Sequence, residues 1–358
     1  MSAYEDLRGD SSGDLLIETR NGVGLITLNR PRALNALSLD MLRGFRRALA
    51  EWSADPTIRA VIVRGAGGRA FCAGGDIRAV YDANLRGDTA FCRALFREEY
   101  TLDYEIGTFA KPYIAFMDGI VMGGGCGISV HGRHRIATEK TLLAMPETGI
   151  GFFPDVGASY FLPRCPGRIG LYLGLTGARL AAPDILYAGL ADALVPSGRL
   201  DDLADAVVAG KTPEEAIANF AAEPPASKLE TMRPTIDRCF AESDLAGMIG
   251  ALERAAEAGE PDGETVPARL DGKSPFSLKL SHKLLSIKDN LSLLDSLILD
   301  YRLSCRVTAR GDFREGVRAV LVDKDSRPQW SPTTIESVND AEIAACFEPV
   351  GSDDLVLP

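Results

Sequence analysis

The chain has 358 residues, 46% apolar and 25% charged, the composition of a globular protein large enough for one extensive core and a smaller appended region. Its net charge of −11 excludes the basic stripe that a run of nucleic-acid phosphates requires, while leaving room for a small anionic ligand held by a few local cations. Seven scattered cysteines without CxxC or Cys/His metal spacing fit buried thiols in a reducing compartment, and the acidic opening MSAYEDLRGDSSGDLLIE, with no apolar run near the ~18 residues of a membrane span, predicts a cytoplasmic protein without a membrane partner.

VGLITLNRP (23–31) reads as a short buried strand stopped by Pro31, and AVIVRGAG (60–67) as a second one running into glycine. Between them Met41, Leu42, Phe45, Ala48, Leu49 and Trp52 recur at helical spacing behind a candidate cap, Ser38, which completes a strand–helix–strand unit. GRAFCAGGDI (68–77) then makes a glycine turn at the end of the second strand. PYIAFMDGIVMGGG (112–125) and HRIATEKTLLAMPE (134–147) supply further strands, with a helix opening near Gly124. No self-similarity marks a repeat in the sequence. Strands fade beyond about residue 200, and a soft boundary falls near 205–210; the helical stretches that follow are broken by AAEPPAS (221–227) and AGEPDGETVP (258–267).

The three glycines of GIVMGGGCGISVHG (119–132) each cost about 0.5–1 kcal/mol relative to alanine in regular structure. Two explanations compete: close packing in a tight strand-to-helix turn, or a backbone brought within hydrogen-bond reach of a ligand. Gly74 and Gly75 end a strand in the same way. If the N–H groups of Gly75 and Gly124 converge, they form a two-donor oxyanion hole. Other chemistries are absent. The serine of GISVHG is out of frame for a GxSxG elbow, no GxxxxGK[ST] loop is present, and His131, His134 and His282 lack a third ligand at metal spacing and read as structural or surface residues. Chemistry must then rest on carboxylates and backbone donors.

LITLNRPRALNAL, GRAFCAGGDI, KPYIAFMDGIVMGGGCG and AMPETGIGFFPDVGASYFLPR, in that order over roughly residues 15–200, resemble the enoyl-CoA hydratase/isomerase (crotonase) superfamily. The resemblance implies an α/β fold, a crotonase-like spiral of repeated ββα units with a helical C-terminal region. It divides the chain into an acyl-CoA-binding catalytic core at 15–205, a helical region at 206–335 and a tail at 336–358. It also implies that Gly75 and Gly124 hold the thioester oxyanion. Typical hydratases of the superfamily carry one glutamate directly after GGGC and another in a later loop. Here Gly127 takes the first place, Glu147 the second, and Asp155 stands in FFPDVG where hydratases have glycine.

FREEY (96–100), GISVHG and the late FREGVRAVLVDKDSRPQW (313–330) are similar to the branch of the superfamily that hydrolyses short 3-hydroxyacyl-CoA thioesters. That similarity extends over nearly the whole chain. It implies conversion of 3-hydroxyisobutyryl-CoA to 3-hydroxyisobutyrate and CoA in valine catabolism, with 3-hydroxypropionyl-CoA a competing substrate. Glu147 would be the nucleophile or the general base, Asp155 would position water or Glu147 and handle the proton, and Glu99 would contact the substrate. Lys324 is suggested for a CoA phosphate, with Arg30 and Arg32 as weaker candidates. Cys126, with no histidine base beside it, reads as a small buried thiol. No cofactor beyond the CoA of the substrate and no metal is implied, and a homo-oligomer is compatible with all of this. Two alternatives stay open, a hydratase or isomerase of the same superfamily and a catalytically idle binding protein on its fold.

Overall fold

The computed structural model describes residues 13–260, 270–287 and 291–357, so most of the expected break at 258–267 lies outside the described residues. The chain forms two compact units. The first comprises residues up to Gly75, Thr101–Leu143 and Leu180–Ala226; the second comprises Asp76–Tyr100, Ala144–Arg179 and the chain from Ser227 onward. This corrects the contiguous division at 205 and 335. A fall in strand content marks where strands stop, but segments 76–100 and 144–179 share their core with the C-terminal helices. Nor is 336–358 a separate tail: Arg302 Nε donates to Asp354 Oδ2 at 2.9 Å and Arg306 donates to the carbonyls of Cys346 and Pro349.

The first unit carries the sheets. Its strands are β1 (Leu15–Arg20), β2 (Val23–Leu28), β3 (Ala60–Gly65), β4 (Ala70–Cys72), β5 (Tyr113–Met117), β6 (Ile120–Met122), β7 (His134–Ala137), β8 (Leu142–Ala144), β9 (Leu180–Ala181) and β10 (Ala193–Leu194). Six of them form a sheet in the order β1-β2-β3-β5-β7-β10, parallel except for β1, and four form a second sheet in the order β4-β6-β8-β9. The pairs β3/β4, β5/β6 and β7/β8 each give one strand to each sheet before a helix or helical turn follows in the chain, which is the repeated ββα spiral.

The stretches 112–125 and 134–147, expected to supply strands, each hold two short ones. Between β5 and β6 the chain turns at Gly119 (φ +85°), where an added β-carbon would lie 2.5 Å from the Arg69 carbonyl oxygen. β1 was not expected at all, yet it pairs with β2 through a two-residue Asn21-Gly22 turn with φ of +45° and +74°, the turn chemistry of a tight hairpin.

The predicted helix is present as Leu39–Ala54. The Ser38 side chain accepts from the Met41 N–H, and all six of the expected apolar side chains are buried. On the larger sheet Val23, Leu25, Ile62, Ile114, Phe116 and Ile136 pack with Leu203 and Val207 of the helix Leu200–Val208. Each such side chain contributes about 1.5–3 kcal/mol of burial. The second unit is helical, built on Lys228–Cys239, Leu245–Glu257, Pro275–Leu285 and Leu293–Val307. No described helix is long and apolar enough to cross a membrane.

Candidate active site

Each unit holds one group of the expected residues. In the first unit, β4 and β6 are parallel neighbours, so the glycine turns at their C-terminal ends lie side by side. An added β-carbon at Gly74 would sit 3.3 Å from the Met122 carbonyl oxygen and 3.6 Å from the Gly124 nitrogen. The three consecutive glycines have separate reasons. Gly123 has φ +49° and ψ −122°, outside the reach of an L side chain. Gly125 lies against the Cys72 carbonyl, where any β-carbon would collide. Gly124 opens the helix Gly124–Val130, so its N–H has no carbonyl a turn earlier to bind. Among the described residues, neither the Gly124 nor the Gly75 N–H is engaged by another group of the protein. Backbone conformation explains Gly123 and packing explains Gly125, and the amide of the middle glycine is left available.

Gly127, the other departure from the hydratase pattern, is closed off. A β-carbon there would lie 2.6 and 2.8 Å from the two carboxyl oxygens of Asp103, a fully buried residue of the helix Thr89–Gly107. The path that any side chain at 127 would take is filled by that carboxyl. Cys126 is a buried thiol, as expected.

In the second unit the structure brings Glu99, Glu147 and Asp155 together in a nearly dry cluster, with exposures of 2%, 5% and 6%. Glu99 comes from Thr89–Gly107, Glu147 opens the 3₁₀ turn Glu147–Ile150, and Asp155 lies in the following loop. A solvated helix face for Glu99 is thereby excluded. Next to them in the chain, Phe152 stacks on Phe96 at 5.7 Å and meets Phe153 at 4.5 Å and Phe313 at 5.8 Å in tilted contacts. Burial pushes the Asp155 carboxyl up from its ordinary 3.8 to about 7. Burial, then the charge of Asp155, pushes Glu99 and Glu147 well above the usual carboxylate range. The half-buried Lys273 acts the other way on Glu147, while its own ammonium is pushed down, chiefly by burial. Glu99 Oε1 and Glu147 Oε2 have no hydrogen-bond partner among the described residues. Three carboxyls that cannot all ionise share protons, so the cluster can both give and take one.

Sequence reasoning missed the support of this cluster. The Tyr100 hydroxyl donates to Asp155 Oδ2 at 2.7 Å and lies 2.6 Å from Ser304 Oγ. Asp300 Oδ2 accepts the Gly157 N–H at 2.7 Å. A signal existed: Ser296, Asp300 and Ser304 recur every fourth residue on the helix Leu293–Val307, and all three are fully buried, a polar stripe on a face that would otherwise be apolar.

Lys324 is exposed on a turn (φ +58°) between Asp323 and Asp325, whose carboxylates both accept from Arg318 at 2.6 and 2.7 Å. Arg30 is tied to the Ala36 carbonyl and to Asp14, and Arg32 is exposed. His134 stands 3.4 Å from Glu214, in keeping with a structural reading. Among the described residues no group of three or more His, Cys, Asp or Glu could hold a metal ion.

The model of the enoyl-CoA hydratase/isomerase family matches residues 23–347, and the chain belongs to this family. Within it, the chain is 44% identical to the protein named 3-hydroxyisobutyryl-CoA hydrolase, mitochondrial, of Gallus gallus, over 97% of this chain and 92% of that one. The Homo sapiens protein of the same name is 40% identical over 97% and 91%. Among solved structures, an enoyl-CoA hydratase from Rhodobacter sphaeroides 2.4.1 superposes with a TM-score of 0.90 at 38% identity, covering 96% of this chain and all of that one. A carnitinyl-CoA dehydratase from Mycobacterium thermoresistibile does so with a TM-score of 0.89 at 40% identity, covering 96% and 98%. The mitochondrial relatives overturn the cytoplasmic expectation. Reduced cysteines separate oxidising from reducing compartments but not one reducing compartment from another.

Proposed function

We propose that this protein hydrolyses the thioester of a short 3-hydroxyacyl-CoA, with 3-hydroxyisobutyryl-CoA its principal substrate, as a step of valine catabolism. The observation that carries the reading is the dry gathering of Glu99, Glu147 and Asp155; the names of the 40–45% identical relatives support it. The solved structures named as hydratase and dehydratase favour a second reading, addition or removal of water across a double bond. Against it stands Gly127, which lacks the hydratases' second glutamate and whose side-chain space is taken by the Asp103 carboxyl.

In hydrolysis an oxygen attacks C1 of the thioester, the C–S bond breaks, and CoA leaves as a thiolate that takes up a proton. Glu147 serves as the attacking carboxylate or as the base that draws a proton from water. The oxyanion formed at C1 is held by the N–H groups of Gly75 and Gly124. Asp155, its carboxyl pushed up to about 7 by burial, handles the proton for the thiolate. Lys324 is assigned to a CoA phosphate.

Glu99 gives the reading its substrate class. A buried carboxyl oxygen without a partner is costly beside a hydrocarbon acyl group, but it can accept a hydrogen bond from a 3-hydroxyl. Sites built on such a bond reject analogues that lack the hydroxyl. The wild type is therefore expected to favour 3-hydroxyisobutyryl-CoA over isobutyryl-CoA by at least about tenfold in kcat/KM, and Glu99→Ala to shrink that ratio. Measuring kcat/KM for both thioesters with both proteins checks this; an unchanged ratio would remove Glu99 from substrate recognition.

A further inference from the structure

Directly after Asp155 the backbone enters the left-handed region twice in succession, at Val156 (φ +53°) and Gly157 (φ +81°). For a β-branched residue this is a strained conformation, which persists only where the surroundings hold it in place. One such hold is a side chain from a distant part of the sequence. Asp300, on the helix Leu293–Val307, accepts the Gly157 N–H through Oδ2 at 2.7 Å. The residue is fully buried, its Oδ1 has no hydrogen-bond partner among the described residues, and no cation acts on it there. The charged or titratable groups that bear on it are Asp155 and, through their mutual effect, the Tyr100 phenol. With no cation to compensate it, a second negative charge beside Asp155 would be strongly disfavoured.

We infer that Asp300 is a positioning residue: a neutral carboxylic acid whose Oδ2 pins the Gly157 amide and so fixes the strained turn that aims Asp155, without adding a charge next to it. The inference rests on the hydrolase reading only in taking Asp155 as an acting carboxyl. A neutral acid combines two properties that a carboxylate or an apolar residue would separate, an acceptor for the turn and no field on the proton of Asp155. The Tyr100–Ser304 pair holds the other side: with the phenol proton committed to Asp155, Ser304 Oγ donates to the Tyr100 oxygen.

Asp300→Ala removes the acceptor, and kcat should fall about tenfold or more with KM changed less than about twofold, because a misaimed group costs turnover more than binding. Asp300→Asn keeps both the acceptor and the neutrality, and it should restore most of the lost kcat and leave the acidic limb of the kcat–pH profile where the wild type has it. Infrared spectra of wild type and Asp300→Asn at pH 8 give a readout independent of turnover, in which the wild type shows a protonated-carboxyl C=O band that the variant lacks. An Asn variant as slow as the Ala variant, an acidic limb moved by about a unit, or no difference in the carboxyl band would overturn the inference. So would a folded Ala variant with wild-type kcat. If the Ala variant does not fold, the Asn variant and the infrared comparison still decide. If the wild type cleaves no thioester, the hydrolase reading fails and the infrared band alone settles the state of Asp300.

Discussion

Replacing Glu147 with Gln should lower kcat by about 10²–10⁴ while the protein folds normally, and Asp155→Asn should do the same. Both substitutions keep shape and volume, and both remove a proton acceptor from a cluster whose chemistry is proton sharing. A variant that retains more than about half the activity would take that residue out of the mechanism. The stability change should run in the opposite direction. Burial raises the Asp155 carboxyl from 3.8 to about 7, so between these values the folded protein binds a proton that the unfolded chain has lost. Its contribution is fully present below pH 3.8 and is lost as the pH rises through about 7. Asn, which never ionises, escapes this loss. Asp155→Asn is therefore expected to be more stable than wild type at pH 8, with the gap closing near pH 4. Thermal unfolding at the two pH values checks the sign; a variant less stable than wild type at pH 8 would mean that the cluster does not strain the fold as its burial implies.

Gly124→Pro tests the other half of the chemistry. Gly124 is the first residue of its helix, the position where proline fits best because the N–H lost there has no helical partner. The substitution deletes that donor, and because Gly124 is buried its folding is checked beside its activity. Loss of a single oxyanion-hole donor costs about 2.7–4 kcal/mol of transition-state stabilisation, so kcat should fall by roughly 10²–10³ with a smaller effect on KM. Steady-state kinetics beside a far-ultraviolet dichroism spectrum separate catalysis from folding. A folded variant with unchanged kcat would show that this amide does not face the developing charge.

Much of this was legible in the residues themselves, and the gaps have physical causes. The helix Leu39–Ala54 was readable because its six apolar side chains and its serine cap are local signals. The two glycine turns were readable as turns. That they meet follows from the pairing of β4 with β6, which no local pattern fixes. Glu147 and Asp155 share a loop region and could be picked out together. Glu99 looks like any charge on a helix until its face is known, and the structure buries it. Asp103 could not be connected with Gly127 at all, since a side chain filling the space of an absent one leaves no trace in spacing. Asp300 and Ser304 lie some 150 residues along the chain from Asp155, and only the four-residue rhythm of buried polar positions hinted at them. The division into units escaped for the same reason. Segments 76–100 and 144–179 carry ordinary compositions, and what assigns them to the helical unit is the company their side chains keep.

The thioester carbonyl, and not a carbon–carbon double bond, is the proposed point of attack. One preparation of the protein is given 3-hydroxyisobutyryl-CoA and crotonyl-CoA in parallel, with free thiol and enoyl absorbance followed in both. Rapid thiol release from 3-hydroxyisobutyryl-CoA and little change with crotonyl-CoA are expected. Rapid loss of the enoyl absorbance without free thiol would contradict it.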